Sequence, residues 1–133
     1  MADTSRSLEQ LEGHAWGDPP ADATRLVRTA HELRRRPVGD LSAEDLRLLL
    51  LQQVGIELLV PLVLDRLERE PLAEGDCYPG DLLVALLKVP PAHWQPGELR
   101  RASSLVAKLD NHPGTPESVQ LQIDAFRWIS WAS

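Results

Sequence analysis

IELLVPLVLDRL (residues 56–67) is apolar on almost every side of a helical projection, with Glu57, Asp65 and Arg66 as its only charges. A helix that is apolar nearly all round is one surrounded by other elements. The chain holds 24 Leu against 12 Val plus Ile, and it has no run that alternates apolar with polar residues. Leucine favours helix, whereas strands want β-branched residues and a period of two. The expected fold is therefore all-α: a compact single-domain bundle of about six or seven helices over residues 1–133, packed around a buried central helix at 56–67. Each fully buried leucine there is worth about 1.5–3 kcal/mol. Pro61 is tolerable only in a first turn or at a kink, so the helix should start at Ile56 or Glu57.

Working outward, Val54-Gly55 loosens the backbone before this helix, and Ser42-Ala43-Glu44-Asp45 opens another, with Ser42 as N-cap and two acids at the positive helix end. Residues 22–35 predict a helix with Ala23, Leu26, Ala30 and Leu33 buried, Arg25, Arg28, Glu32 and Arg35 outside, and Pro37 as its stop. Residues 7–12 predict a short helix ended by Gly13, with Trp16 folded back beside Leu8 and Leu11. Downstream, a fifth helix is expected over 79–89. A sixth follows Pro96 and buries Leu99, Ala102, Val106 and Leu109. The last begins at Thr115-Pro116-Glu117, with Thr as N-cap and Pro at the first helical position. It buries Val119, Ile123 and Phe126 and brings Trp128 and Trp131 together, one for the core and one for an interface.

The formal charge of −6 disfavours nucleic acid as the main partner and favours a basic one. That charge is regional: residues 41–80 carry eight acidic and three basic side chains, so the rest of the chain is nearly balanced. Cys77 is the only cysteine, which precludes an intrachain disulfide and suits a reducing compartment. Residues 2–7 lack the apolar core of a secretory signal, and the greasiest run is broken by charges and Pro61. A cytoplasmic protein that contacts no membrane is expected.

Catalysis needs a constellation of groups, and this chain offers none. His14, His31, His93 and His112 share no helical spacing, and His14 with Asp18 is too little for a metal. Cys77 has no near histidine or lysine to activate it, so a small buried hydrophobe is its expected role. No glycine-rich phosphate loop occurs, because Gly75 and Gly80 stand among acids. No enzyme activity and no cofactor are expected. The arginines at 25, 28, 34, 35 and 36 read as a solvated helix face, since Glu32 interrupts them and no aromatic residue interleaves. A helix-turn-helix about Gly55 is excluded, because a reading helix that apolar has nothing for base edges.

The connector at residues 70–80, EPLAEGDCYPG, is the candidate site. Glu70, Glu74 and Asp76, with Asp65 and Glu68 one or two turns earlier, form an acidic ridge for a cationic partner. Tyr78 beside them is a rigid amphipathic anchor. The plainer alternative makes Asp81 a helix cap and Tyr78-Pro79 a turn pin.

Three segments in order, LEQLEGHAWGDPP, HELRRRPVGDLSAEDLRLLLLQQVGIELLVPLVLDRLE and PLAEGDCYPGDLLVALL, give residues 7–90 a likeness to a known family. The chain resembles the immunity proteins of bacterial contact-dependent growth inhibition systems. The resemblance implies a small cytoplasmic antidote that binds the C-terminal toxin domain of a large exported effector, commonly a nuclease, and blocks its active site. It implies no cofactor, no direct nucleic-acid contact, and a monomer or weak dimer when free. The quoted segments end before residue 91, and residues 91–133 are read on physical grounds alone. From a different class, the same features suit a helical adaptor or regulatory subunit of a cytoplasmic complex.

Overall fold

In the computed structural model, residues 4–132 are described, with side chains through Arg127. Local chemistry sets most helix boundaries. Ser7 and Gln10 cap α1 (Leu8–Glu12) reciprocally, the Ser7 hydroxyl accepting from Gln10 N–H at 3.2 Å and the Gln10 side chain accepting from Ser7 N–H at 2.9 Å. Thr24 accepts from Val27 N–H, so α2 runs Arg25–Arg34 and starts later than residue 22. Ser42 caps α3 (Ala43–Leu51), as the Ser-Ala-Glu-Asp run predicts, and Asp45 reaches back to the Ser42 N–H to complete a capping box. Next come α4 (Ile56–Arg69), α5 (Asp81–Leu87), α6 (Pro96–Leu109) and α7 (Glu117–Ala132), with 3-10 turns at Val38–Asp40 and Pro91–His93. No strand occurs among the described residues, and the fold is all-α.

The enclosed helix is α5, not α4. All seven residues of α5 are buried, among α3, α4 and α7. Helix α4 buries Ile56, Leu59, Val60, Val63, Leu64 and Leu67, but Glu57, Asp65 and Glu68 lie on one exposed stripe with Pro61. Those residues recur at i, i+4, i+8 and i+11, a helical period that gives α4 a wet side. Pro61 therefore sits in the second turn rather than the first. The Glu57 carbonyl that loses its donor lies on the solvent side, and the helix runs on.

Helix α2 buries Ala30, Leu33 and Arg34, whereas Leu26 is 49% exposed and Ala23 lies before the helix. Its packing partner is α3, met by its C-terminal half, so the N-terminal part of the expected stripe is left uncovered among the described residues. Helix α6 buries Ala102, Leu105, Val106 and Leu109, with Leu99 packed at the core's margin. Helix α7 buries Val119, Ile123 and Phe126, and the Phe126 ring lies 5.9 Å from that of buried Trp94. Thr115 does not cap α7. Its hydroxyl donates to the Leu109 carbonyl at 2.7 Å and closes the end of α6 instead. The side chains of Trp128 and Trp131 lie outside the described set.

Candidate functional site: the α4–α5 connector

Pro71 follows the last turn of α4, and the chain crosses to α5 through residues 70–80. Ala73 plugs the core, and the Gly80 N–H closes the crossing on the Leu72 carbonyl at 3.1 Å. Between these anchors, four successive N–H groups turn inward onto two carboxylates. Gly75 donates to Asp81 Oδ1 at 2.6 Å, Asp76 to Glu44 Oε1 at 2.8 Å, and Cys77 and Tyr78 to Asp81 Oδ2 at 3.0 and 3.4 Å. Asp81 is only 3% exposed. Its carboxylate holds the preceding turn rather than the N-terminus of its own helix.

Arg47 offsets this buried negative charge. Its Nε and Nη2 each donate to Glu44 at 2.7 Å, a two-pronged contact, and Nε stands 3.8 Å from Asp81 Oδ2. The Arg47 contact holds the Glu44 carboxyl below its ordinary range; burial opposes this, and the Asp76 N–H adds to the lowering. The same pair raises Arg47 above its ordinary range. Gly75 is required by proximity, since a Cβ there would stand 2.5 Å from Glu44 Oε1 and 3.2 Å from Glu44 Cα.

With the N–H groups facing in, the side chains of Glu74, Asp76 and Cys77 face solvent. Cys77 is thus exposed rather than the small core residue its isolation suggests. Among the described residues, Glu70, Glu74 and Asp76 form no side-chain hydrogen bond or ion pair, and Tyr78 is half-buried against the core. Arg66, Arg69, Glu70 and Glu74 line a cleft of about 390 Å³ floored by Ala43 and Ala73.

The other two members of the expected ridge are engaged elsewhere. Asp65 and Glu68 both accept from Arg101 of α6, at 2.6 Å from Nη2 to each and 3.1 Å from Nε to Glu68. That contact lowers the Glu68 carboxyl. The ridge is therefore two structures, an ion triad tying α4 to α6 and a separate set of unpaired acids on the connector. Sequence reasoning missed Glu44, Arg47 and Arg101. The three-residue spacing of Glu44 and Arg47 hints at their pairing, but nothing in the sequence points Glu44 at a turn 32 residues away.

The arginines of α2 are not a free basic stripe. Arg34 is buried, donates to Glu12 at 2.7 Å and to the His14 carbonyl at 2.9 Å, and lies 4.3 Å from the Trp16 ring centre. Arg28 and Arg35 donate to the carbonyls of Ala21, Ala23 and Gly17. Together they strap the segment between α1 and α2 onto α2. Trp16 accordingly packs on Arg34 and His31. Among the described residues no three metal-ligating side chains converge, and no helix is long and apolar enough to cross a membrane.

The sequence profile of CDI immunity proteins matches residues 10–102. That span runs from within α1 through the first half of α6, with the whole connector, Glu44, Arg47, Asp81 and Arg101. A comparison with curated proteins returns no match. The profile covers well over half of the chain, so this protein belongs to the immunity proteins of contact-dependent growth inhibition systems.

Proposed function

We propose that this immunity protein neutralises a cognate nuclease toxin domain in the cytoplasm by covering its active site, and that the connector bearing Glu70, Glu74, Asp76 and Tyr78 meets the toxin. The observation that carries the reading is the set of three exposed carboxylates, without partners among the described residues, on one short connector. A nuclease must hold phosphates, so its cleft is basic, and an acidic surface is steered into it. Such occlusion needs no catalytic group and no cofactor. It needs a complementary face of about 600–1,000 Å² on each partner, with a central anchor of the kind Tyr78 provides. Asp65 and Glu68 would border this face as a fixed, partly neutralised edge.

The test is a calorimetric titration with the toxin domain encoded immediately upstream, at low and at physiological salt. One-to-one binding that weakens as salt rises, together with loss of toxin nuclease activity in the complex, is the expected result. Tight binding indifferent to salt would move the interface to apolar residues, and absence of binding would favour the adaptor reading.

A further inference from the structure

We infer that Glu44, Arg47 and Asp81 are positioning residues for partner binding: they preset the backbone of residues 75–78 so that Glu74, Asp76 and Tyr78 are presented before the partner arrives. The inference rests on the connector being the interface, as proposed above. Within residues 75–78 only Tyr78 packs against the core, so apolar contact does little to order the rest of the turn, and ordering it during association would weaken the complex. Here each of the four N–H groups from Gly75 to Tyr78 already has a carboxylate oxygen, and those carboxylates are fixed from two directions. Glu44 comes from α3 and is clamped by Arg47, while Asp81 is buried at the start of the enclosed helix α5. The arrangement is an anion nest filled from within by the protein's own side chains. None of the three residues needs to touch the partner. They act on the fraction of molecules whose connector is competent, and the apparent affinity scales with that fraction.

Two variants and a control separate the possibilities. Glu44→Gln weakens the clamp. Gly75→Ala leaves every charge in place but pushes a Cβ into Glu44 and Asp81, whose oxygens lie 2.5 and 3.1 Å from its position. Both are expected to speed amide hydrogen exchange at residues 75–78 about tenfold or more, with α4 and α5 core amides unchanged. Both should also slow association with the upstream-encoded toxin domain by about tenfold while preserving its salt dependence. The control, Glu74→Lys, should leave exchange unchanged and flatten the salt dependence. Unchanged exchange in both variants would overturn the inference and leave the proposed function untouched. Faster exchange with undiminished association would also overturn it. In that case normal binding by Glu74→Lys removes the connector as the interface, and weakened binding keeps the connector while discarding its presetting.

Discussion

Arg34 is 1% exposed, and two of its nitrogens, Nε and Nη1, are buried with no acceptor among the described residues. Its charge-assisted bonds to Glu12 and to the His14 carbonyl are each worth about 1.5–3 kcal/mol, and the Trp16 face adds roughly 0.5–2. Nε and Nη1 carry three N–H groups between them, each costing about 1–3 kcal/mol without an acceptor, so the polar terms nearly cancel. What remains is the burial of the aliphatic stem. Arg34→Met is therefore expected to stay within about 1 kcal/mol of the parent, while Arg34→Ala loses about 2–4 kcal/mol. Urea midpoints read both, and equal damage from Met and Ala would assign the role to the charge. Gly80 poses a steric question instead. Its φ is +89°, and a Cβ would stand 2.5 Å from Val119 Cγ2 and 3.1 Å from Leu72 Cδ2. The left-handed backbone costs an L-residue about 1–2 kcal/mol and overpacking about 1–3. Gly80→Ala should thus cost about 2–5 kcal/mol. Combined with Val119→Ala, the loss should fall short of the two single losses by about 1 kcal/mol or more. Strict additivity would place the whole cost in the backbone.

Helix α3 reaches the connector through Glu44, and this contact makes the connector sensitive to acid. The Glu44 carboxyl is held below its ordinary value of 4.5, so its contribution to stability is complete above that pH and is lost as pH falls through the lower, folded value. Glu68, held by Arg101, behaves the same way. Protection of the amides at 75–78 should therefore persist down to about pH 4.5 and fail below it. A Glu44→Gln chain, measured by exchange across the same range, should lose this step; retention of the step would assign it to another acid. Features this local are partly legible in a sequence. The cap at Ser42 is readable because a side chain meets an N–H three residues on, whatever the rest of the fold does, while Ser7, read as the first residue of its helix, turns out to cap it in the same way. Thr115 looks like the same signal, but α7 begins only at Glu117, a residue later than that cap requires, and the Thr115 hydroxyl donates back to the Leu109 carbonyl of α6. The buried faces of α6 and α7 follow from periodicity, whereas the first turns of α2 show the same periodicity with no neighbour to cover Leu26. That α5 rather than α4 is enclosed depends on three other helices, so the composition of DLLVALL shows a greasy segment but not its place. The acidity of the connector is plain in the sequence. Its inward-facing amides, and hence the outward Cys77, are tertiary facts.

Across the molecule, pairing redistributes the negative field. Of the eight acids in residues 41–80, Glu44 is paired with Arg47, Asp45 with Arg36, Asp65 and Glu68 with Arg101, and Glu57 with His93. Glu70, Glu74 and Asp76 remain, all on the connector. A field that looks spread over forty residues in sequence thus has its carboxylates without a partner among the described residues gathered on one short turn. Steering acts over the Debye length, about 30 Å at 0.01 M salt and about 8 Å at 0.15 M, so a concentrated patch should give strong binding at low salt that fades quickly. Position then matters more than charge count. Asp76→Lys should weaken toxin-domain binding tenfold or more at low salt and less at physiological salt. Asp65→Asn removes an acid already committed to Arg101, so it should shift binding by no more than about twofold to threefold, with a stability loss of about 0–1 kcal/mol. Titrating the toxin domain with both variants at the two salt concentrations separates them. Equal losses at Asp65 and Asp76 would mean that the toxin reads the summed charge of the face, and the division between paired and unpaired carboxylates would then have no bearing on recognition.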